Sequence, residues 1–138
     1  MIITGKIFHG LHRGEPWIDH YFYRIVGLLN IKPFKGTLNI KLDKEVDISD
    51  YMTKVLEHVD ASGRHIIEAR FCPAKLRVRK DDKIIEENCW IFRQENGPYK
   101  DDVIEIISEK CLEKELGLKE GDAVEVMIAR LKCSKNLV

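Results

Sequence analysis

Residues 36–42 read Gly36-Thr37-Leu38-Asn39-Ile40-Lys41-Leu42, an alternation of apolar and polar side chains. A period of two predicts a β-strand, because successive side chains of a strand point to opposite faces. The three aliphatic residues should therefore share one face, and Thr37, Asn39 and Lys41 should share the other. The segment thus indicates a β-rich fold.

Further strand patterns and two helix patterns occur along the rest of the chain. Strands are predicted for residues 2–9, 66–71, 74–79, 89–92, 103–107 and 123–131, and helices for residues 16–29 and 109–116. Residues 47–59 stay open between a loop and a short helix. Many short strands with few helices predict a mainly β, antiparallel or mixed barrel and not a parallel α/β sheet.

Length, net charge and the distribution of apolar residues limit the classes of protein to which this chain could belong. A length of 138 residues suits one domain, spanning residues 1–138. With 23 basic and 23 acidic residues the formal net charge is +0, which argues against a general nucleic-acid binder. No apolar run approaches the roughly 20 residues that span a bilayer, and the N-terminus lacks the pattern of a secretory signal. We therefore expect neither a nucleic-acid nor a membrane partner.

The four cysteines and five histidines do not predict a metal centre. No two cysteines form a Cys-x-x-Cys pair, and no two histidines have His-x-x-x-His spacing. Free, partly buried thiols in a reducing compartment are the better interpretation, which indicates a cytoplasmic protein.

Thr37 and Asn39 are candidate magnesium ligands. Their hydroxyl and carboxamide point the same way from a strand, and Mg²⁺ accepts hard oxygens while it keeps water and phosphate at its other positions. The alternative is a solvated strand face that carries a β-branched and a turn-favouring residue. Asn is unusual inside a strand, which favours function slightly.

Two other segments carry candidate chemistry. In Gly10-Leu11-His12-Arg13-Gly14 the glycines could turn backbone N–H groups toward phosphate, although an ordinary connection would look the same. Glu105 is the one charge in strand 103–107, where it could accept a substrate hydrogen bond or simply face water. Three aromatic residues could stack on a flat ring but are more often part of a core, namely Trp17, Trp90 and Tyr99.

Taken together, these segments resemble the archaeal CTP-dependent riboflavin kinases over nearly the whole chain. The most specific stretch is 33–43, which contains Gly36 to Leu42. The other matching blocks are Ile2 to Gly5, Gly10 to Gly14, residues 103–107 and the turn Leu116-Gly117-Leu118-Lys119-Glu120-Gly121-Asp122.

The resemblance implies a six-stranded cradle-loop β-barrel with two or three short helices. It implies magnesium-dependent transfer of the terminal phosphate of CTP to the 5′-hydroxyl of riboflavin, giving FMN and CDP.

The resemblance also implies which residues bind each ligand. Thr37 and Asn39 would bind Mg²⁺, and Gly97 and Glu105 would bind the flavin. The nucleotide would be bound by two segments: Gly10, Leu11, His12, Arg13, Gly14 and Glu15, and Lys110, Cys111, Leu112 and Glu113. The resemblance names no catalytic base. We expect a monomer or a small homo-oligomer.

Three positions depart from the family pattern. His12 replaces the middle glycine of the loop, no Thr occurs near Gly97, and Glu113 stands where the family has Arg. A carboxylate in that position would repel phosphate or alter base recognition. The alternatives are therefore a non-catalytic flavin- or nucleotide-binding member of the family, and a kinase with another donor or acceptor. A DNA-binding barrel, suggested by the turn at residues 116–122, is a further alternative.

Overall fold

The computed structural model describes residues 1–10 and 14–128, and these contain seven strands and three α-helices. The strands are β1 (Ile2–Phe8), β2 (Leu38–Leu42), β3 (Lys54–Val59), β4 (His65–Lys80), β5 (Lys83–Gln94), β6 (Val103–Ile107) and β7 (Ala123–Ile128). The helices are α1 (Gly14–His20), α2 (Phe22–Leu29) and α3 (Leu112–Glu115), with a 3₁₀ turn at Ser49–Tyr51. None of the helices in this part of the chain could span a lipid bilayer.

Six of the strands close into a ring. The sheet order is β3-β4-β5-β6-β2-β1-β7, and an additional β4–β7 pairing joins the two ends of the six-stranded part, with β3 outside it. All neighbouring strands are antiparallel. The predicted mainly β barrel with two or three short helices is therefore confirmed, and the number of α-helices is three.

Along one of its edges, strand β4 pairs first with β3 and then with β7. Its first part pairs with β3 as far as Phe71, and its second part pairs with β7 from Ala74 onward. Pro73 lies between these two stretches, opposite Trp90 of β5. Because proline has no N–H to donate, it fits a point where the strand changes partner on that edge.

The barrel separates two hydrophobic clusters. The inner cluster contains the aliphatic face predicted for residues 38–42, and it fills the ring with Ile7, Leu76, Ile91, Ile104 and Ile106 among others. The outer cluster joins α1 and α2 to the outside of the sheet, and its fully or nearly fully buried members include Ile18, Ile25, Phe71, Phe92 and Ile107. Strand alternation places Glu105 and Asn39 on the outer side of the wall, on the face that the helices cover.

Some predicted elements differ from the structure. The single helix predicted for residues 16–29 is two helices separated at Tyr21, whose backbone (φ −102°, ψ 14°) departs from helical geometry. Residues 47–59, for which a loop or a short helix was considered, contain the 3₁₀ turn at Ser49–Tyr51 and then β3, which was not predicted. The strands predicted at 66–71 and 74–79 are one continuous strand, β4, and the helix predicted at 109–116 is shortened to α3. Strand β7 is described as far as Ile128, so residues 129–131 of the prediction lie outside the described residues.

Candidate active site

The centre of the site is a hydrogen bond between the two predicted metal ligands. Thr37 immediately precedes β2 and Asn39 is its second residue. The Thr37 hydroxyl donates to Asn39 Oδ1 at 3.1 Å. Asn39 is 8% exposed, so its carboxamide is held within the protein and is not on a solvated face. The two oxygens therefore lie together, as the alternation predicted.

Both described ends of the glycine loop pack against this pair. A Cβ atom built on Gly10 would lie 2.5 Å from Asn39 Nδ2, and closer still to the Tyr99 hydroxyl. A Cβ atom built on Gly14 would lie 2.5 Å from the Thr37 hydroxyl oxygen. Real Cβ atoms do not approach other atoms so closely, so a side chain at either position would displace the neighbouring side chains. Leu11, His12 and Arg13 lie outside the described residues.

The geometry of the pair fits a magnesium ion. Mg²⁺ holds oxygen ligands at 2.0–2.1 Å in near-octahedral geometry, so neighbouring ligand oxygens lie about 2.9 Å apart. The observed separation of 3.1 Å is close to this value. Among residues 1–10 and 14–128, no group of three or more His, Cys, Asp or Glu could hold a metal ion. A cation here would therefore depend on the two neutral oxygens together with water or phosphate.

Glu105 is a buried carboxyl group beside Asn39. In the sheet it lies opposite Asn39 of β2 on one side and Phe92 of β5 on the other. It is 6% exposed, and burial raises the pKa of its carboxyl group to about 7, although the positive charge of Arg93 acts in the opposite direction. The alternative of a strand charge facing water is therefore wrong. A carboxyl group in this environment can either donate or accept a hydrogen bond near neutral pH.

Gly97 packs against its own turn. The atoms nearest to a Cβ built on Gly97 all belong to Gln94, and the Gly97 N–H donates to the Gln94 carbonyl at 3.3 Å. The residue of this loop that reaches the site is Tyr99, which the sequence marked only as an aromatic side chain. On sequence alone, Tyr99 was considered only for stacking on a flat ring, and its contact with Gly10 could not be predicted because that contact joins distant parts of the chain.

The segment Lys110 to Glu113 borders the same region. It forms one side of a small cavity of about 50 Å³, and Phe34, Gly36 and Thr37 are among the residues on the other side. Cys111 precedes α3, and Leu112 is buried in the inner cluster. The cavity thus connects the second predicted nucleotide segment with one of the predicted metal ligands.

The charged residues of this segment have partners within the protein. Glu113 Oε1 accepts a hydrogen bond from His9 Nε2 at 2.8 Å, and Glu120 Oε1 accepts one from the His9 backbone N–H at 3.0 Å. The contact with Glu113 is the main cause of the raised pKa of His9. Lys110 Nζ lies 3.2 Å from Glu87. His9, which sequence reasoning did not select, therefore links the glycine loop to the second segment.

Comparison with known proteins identifies relatives of this chain. The family model CTP-dep_RFKase, described as domain of unknown function DUF120, matches residues 7–128. A protein named riboflavin kinase from Methanoculleus marisnigri is 33% identical over 136 residues, covering 91% of this chain and 56% of that protein. A riboflavin kinase from Picrophilus torridus is 31% identical over 127 residues, with 91% and 56% covered.

A third relative has nearly the length of this chain. The riboflavin kinase of Methanosphaera stadtmanae is 28% identical over 129 residues, covering 91% of this chain and 96% of that protein. The chain thus spans a little over half the length of the first two relatives and almost all of the third. Because the family model matches most of its residues, the chain belongs to the CTP-dep_RFKase family.

Proposed function

We propose that this chain is a CTP-dependent riboflavin kinase, which transfers the terminal phosphate of CTP to the 5′-hydroxyl of riboflavin and forms FMN and CDP. The observation that carries the proposal is the 3.1 Å pair of Thr37 and Asn39 oxygens, against which both ends of a glycine loop pack without room for a Cβ atom. The family membership and the names of the relatives support the same activity.

Thr37 and Asn39 would hold the magnesium ion, which supplies charge neutralisation to the phosphates when it is bound. Phosphoryl transfer requires positioning and electrostatic stabilisation more than covalent chemistry from the protein. Gly10 and Gly14 serve this purpose because, without side chains, they bring the backbone of the loop close to the ligand pair. Leu11, His12, Arg13 and Glu15 complete the proposed first nucleotide segment.

The proposed second nucleotide segment contains Lys110, Cys111, Leu112 and Glu113. The carboxylate of Glu113 is an unfavourable neighbour for phosphate, but its contact with His9 provides a positive partner whenever the imidazole is protonated. Lys110 is about half exposed and its pair with Glu87 lies at the surface, so this cation can exchange partners at little cost. We propose that the pair of His9 and Glu113 keeps the segment compatible with a nucleotide.

For the flavin we propose contacts with Glu105 and with the loop that contains Gly97. Glu105 lies next to Asn39 in the sheet, so a ligand that touches its carboxyl group would lie beside the proposed phosphate site. With a pKa near 7, this group could donate to a carbonyl or accept from an imide or hydroxyl.

A donor panel tests the proposed activity. The protein is incubated with riboflavin, Mg²⁺ and one of CTP, ATP, GTP or UTP, and flavin chromatography measures FMN. We expect FMN with CTP, and we expect Asn39→Ala to abolish magnesium-dependent turnover while the fold remains intact by circular dichroism. Asn88→Ala, at an exposed position of β5, is the matched control. Full activity of Asn39→Ala would refute the metal assignment, and absence of FMN with every donor would refute the kinase.

The panel also tests a kinase with another donor, the alternative that Glu113 favours. A carboxylate in a nucleotide-binding segment changes which hydrogen bonds a base can make, because it only accepts when ionised. FMN formed from ATP, GTP or UTP in preference to CTP would establish this alternative without affecting the assignment of Thr37 and Asn39.

The proposed ligands are riboflavin and FMN together with CTP and CDP, and we propose no nucleic-acid or membrane partner. The balanced charge of the chain is consistent with this set. The three cysteines that lie in the described part of the chain are free thiols, which suits the reducing cytoplasm where we propose that the protein acts. Light scattering coupled to gel filtration would test the expected monomer or small homo-oligomer.

A further inference from the structure

Tyr99 connects the loop before β6 with the glycine loop. Its ring is half-buried and packs edge-on against Phe8 of β1, with ring centroids 5.9 Å apart and planes at 88°. This contact directs the hydroxyl toward the end of β1, where the chain enters the glycine loop. The position of the ring is thus held by the barrel wall and not by the loop alone.

The Tyr99 hydroxyl converges with the Asn39 carboxamide. Both the hydroxyl oxygen and Asn39 Nδ2 lie within 3.0 Å of the point where a Cβ atom of Gly10 would be. Two atoms placed in this way are close enough to contact the same ligand oxygen. The two groups can pack this closely around Gly10 because it has no side chain, and a larger residue would displace one of them.

The hydrogen-bonding groups around Asn39 differ on its two sides. On one side, Asn39 Oδ1 lies beside the Thr37 hydroxyl, which makes a pair of oxygens suited to a cation. On the other side, Asn39 Nδ2 and the Tyr99 hydroxyl are both capable of donating. Converging donors stabilise an oxygen on which negative charge lies or develops, as a transferring phosphoryl group presents.

We propose that the Tyr99 hydroxyl is a catalytic group that donates a hydrogen bond to an oxygen of the terminal phosphate, next to the donor N–H of Asn39. This inference rests on the proposed kinase function and adds to it the residue that recognises the transferred group. Tyr99 neither forms nor breaks a covalent bond in this role. It contributes to turnover because its donor is already oriented before the reaction begins.

The variant Tyr99→Phe tests the proposal, since it removes the hydroxyl and keeps the ring against Phe8. We expect kcat to fall about 10- to 100-fold, in keeping with the loss of one hydrogen bond to a charged group. We expect the Kd for CDP to change less than twofold, because CDP lacks the terminal phosphate. The matched control is Tyr51→Phe, whose ring packs against the inner cluster and should leave both values unchanged.

The possible results distinguish failure of the role proposed for Tyr99 from failure of the proposed kinase function. Wild-type kcat in Tyr99→Phe overturns the proposal. A loss of CDP affinity as large as the loss of kcat also overturns it, because that result would show that the tyrosine only supports Gly10. If the wild-type protein forms no FMN with any nucleoside triphosphate, the proposed function itself fails and this inference fails with it.

Discussion

At the scale of single residues, the site depends on two glycines as much as on the polar side chains that surround them. Gly10 is enclosed by the Asn39 carboxamide and the Tyr99 hydroxyl, and Gly14 lies against Thr37. Glycine at these two positions allows the main chain to approach polar side chains more closely than any other residue would. A substitution at Gly10 or Gly14 should therefore impair the site more than it impairs the folding of the barrel.

Gly10→Ala should reduce turnover at least tenfold, because its methyl group would displace the Tyr99 hydroxyl or the Asn39 carboxamide. A misplacement of about 1 Å can cost about 10²-fold in rate. The measurement is kcat/KM for FMN formation with CTP. Gly27→Ala is the matched control, since a Cβ atom at Gly27 in α2 would meet no atom within 4 Å. Equal kcat/KM for the two variants would contradict the close packing at Gly10.

Glu105 should make the stability of the protein depend on pH. Burial raises its pKa from 4.5 to about 7, so the folded state holds a proton that the unfolded state has lost between these values. The free energy of unfolding should therefore fall as pH rises from about 4.5 through 7, by a total on the order of 3 kcal/mol. This loss should be absent in Glu105→Gln, which has no ionisable group at that position.

The measurement for Glu105 is urea unfolding of the wild type and of Glu105→Gln at several values between pH 4.5 and pH 8. Glu45→Gln, at an exposed position after β2, serves as the control and should follow the wild-type profile. If the difference between the wild type and Glu105→Gln is the same at every pH, the carboxyl group titrates as an exposed one does and its buried state is refuted.

The residues of the site were predictable only in part. The two oxygens at Thr37 and Asn39 follow from strand alternation and a spacing of two, so sequence alone brought them together. The contact of His9 with Glu113 joins residues separated by 104 positions, and no local pattern contains it. The same is true of Tyr99 and Gly10, because their proximity is a consequence of how β1 and the loop after β5 meet in the closed barrel.

At the scale of secondary structure elements, predictions succeeded where the local side-chain pattern was regular. Strand β2 was recognised because its apolar and polar residues alternate, and β6 because it is a short run of β-branched residues with a single charge. Strand β3 was missed because a register shift between Leu56 and Glu57 interrupts its pairing with β4 and weakens the alternation. Pro73 suggested a break in β4, but the strand continues because its edge there lies between two partner strands.

Helix α2 should contribute to stability through its buried face. Ile25 is fully buried in the outer cluster, so Ile25→Ala should lower the free energy of unfolding by about 2–4 kcal/mol through lost burial and a residual cavity. Tyr23→Ala is the matched control on the same helix, at a side chain that is 86% exposed, and should change stability by about 0.5 kcal/mol or less. Denaturant unfolding measures both. Similar losses in the two variants would show that α2 is not held through Ile25.

At the scale of the whole molecule, the two hydrophobic clusters share the strands between them. In β6, Ile104 and Ile106 face the inner cluster and Ile107 faces the outer one, while in β5 the same division separates Ile91 from Phe92. Neither cluster can lose its packing without exposing strands that the other requires. The barrel and its covering helices should therefore unfold in one cooperative transition, as single domains of this size usually do.

The tryptophans provide a direct test of this cooperativity. The sequence contains two, Trp17 and Trp90, and both pack against the outer cluster, so their fluorescence reports that cluster, whereas far-ultraviolet circular dichroism reports mainly the sheet. We expect the urea midpoints of the two signals to coincide, and we expect Trp17→Phe and Trp90→Phe each to preserve the coincidence while isolating one reporter. If fluorescence changed at lower urea than circular dichroism, the helices would detach while the barrel remained folded. Glu105 and Asn39 lie on the face that these helices cover, so such a separation would mean that the site can open without unfolding of the sheet that supports it.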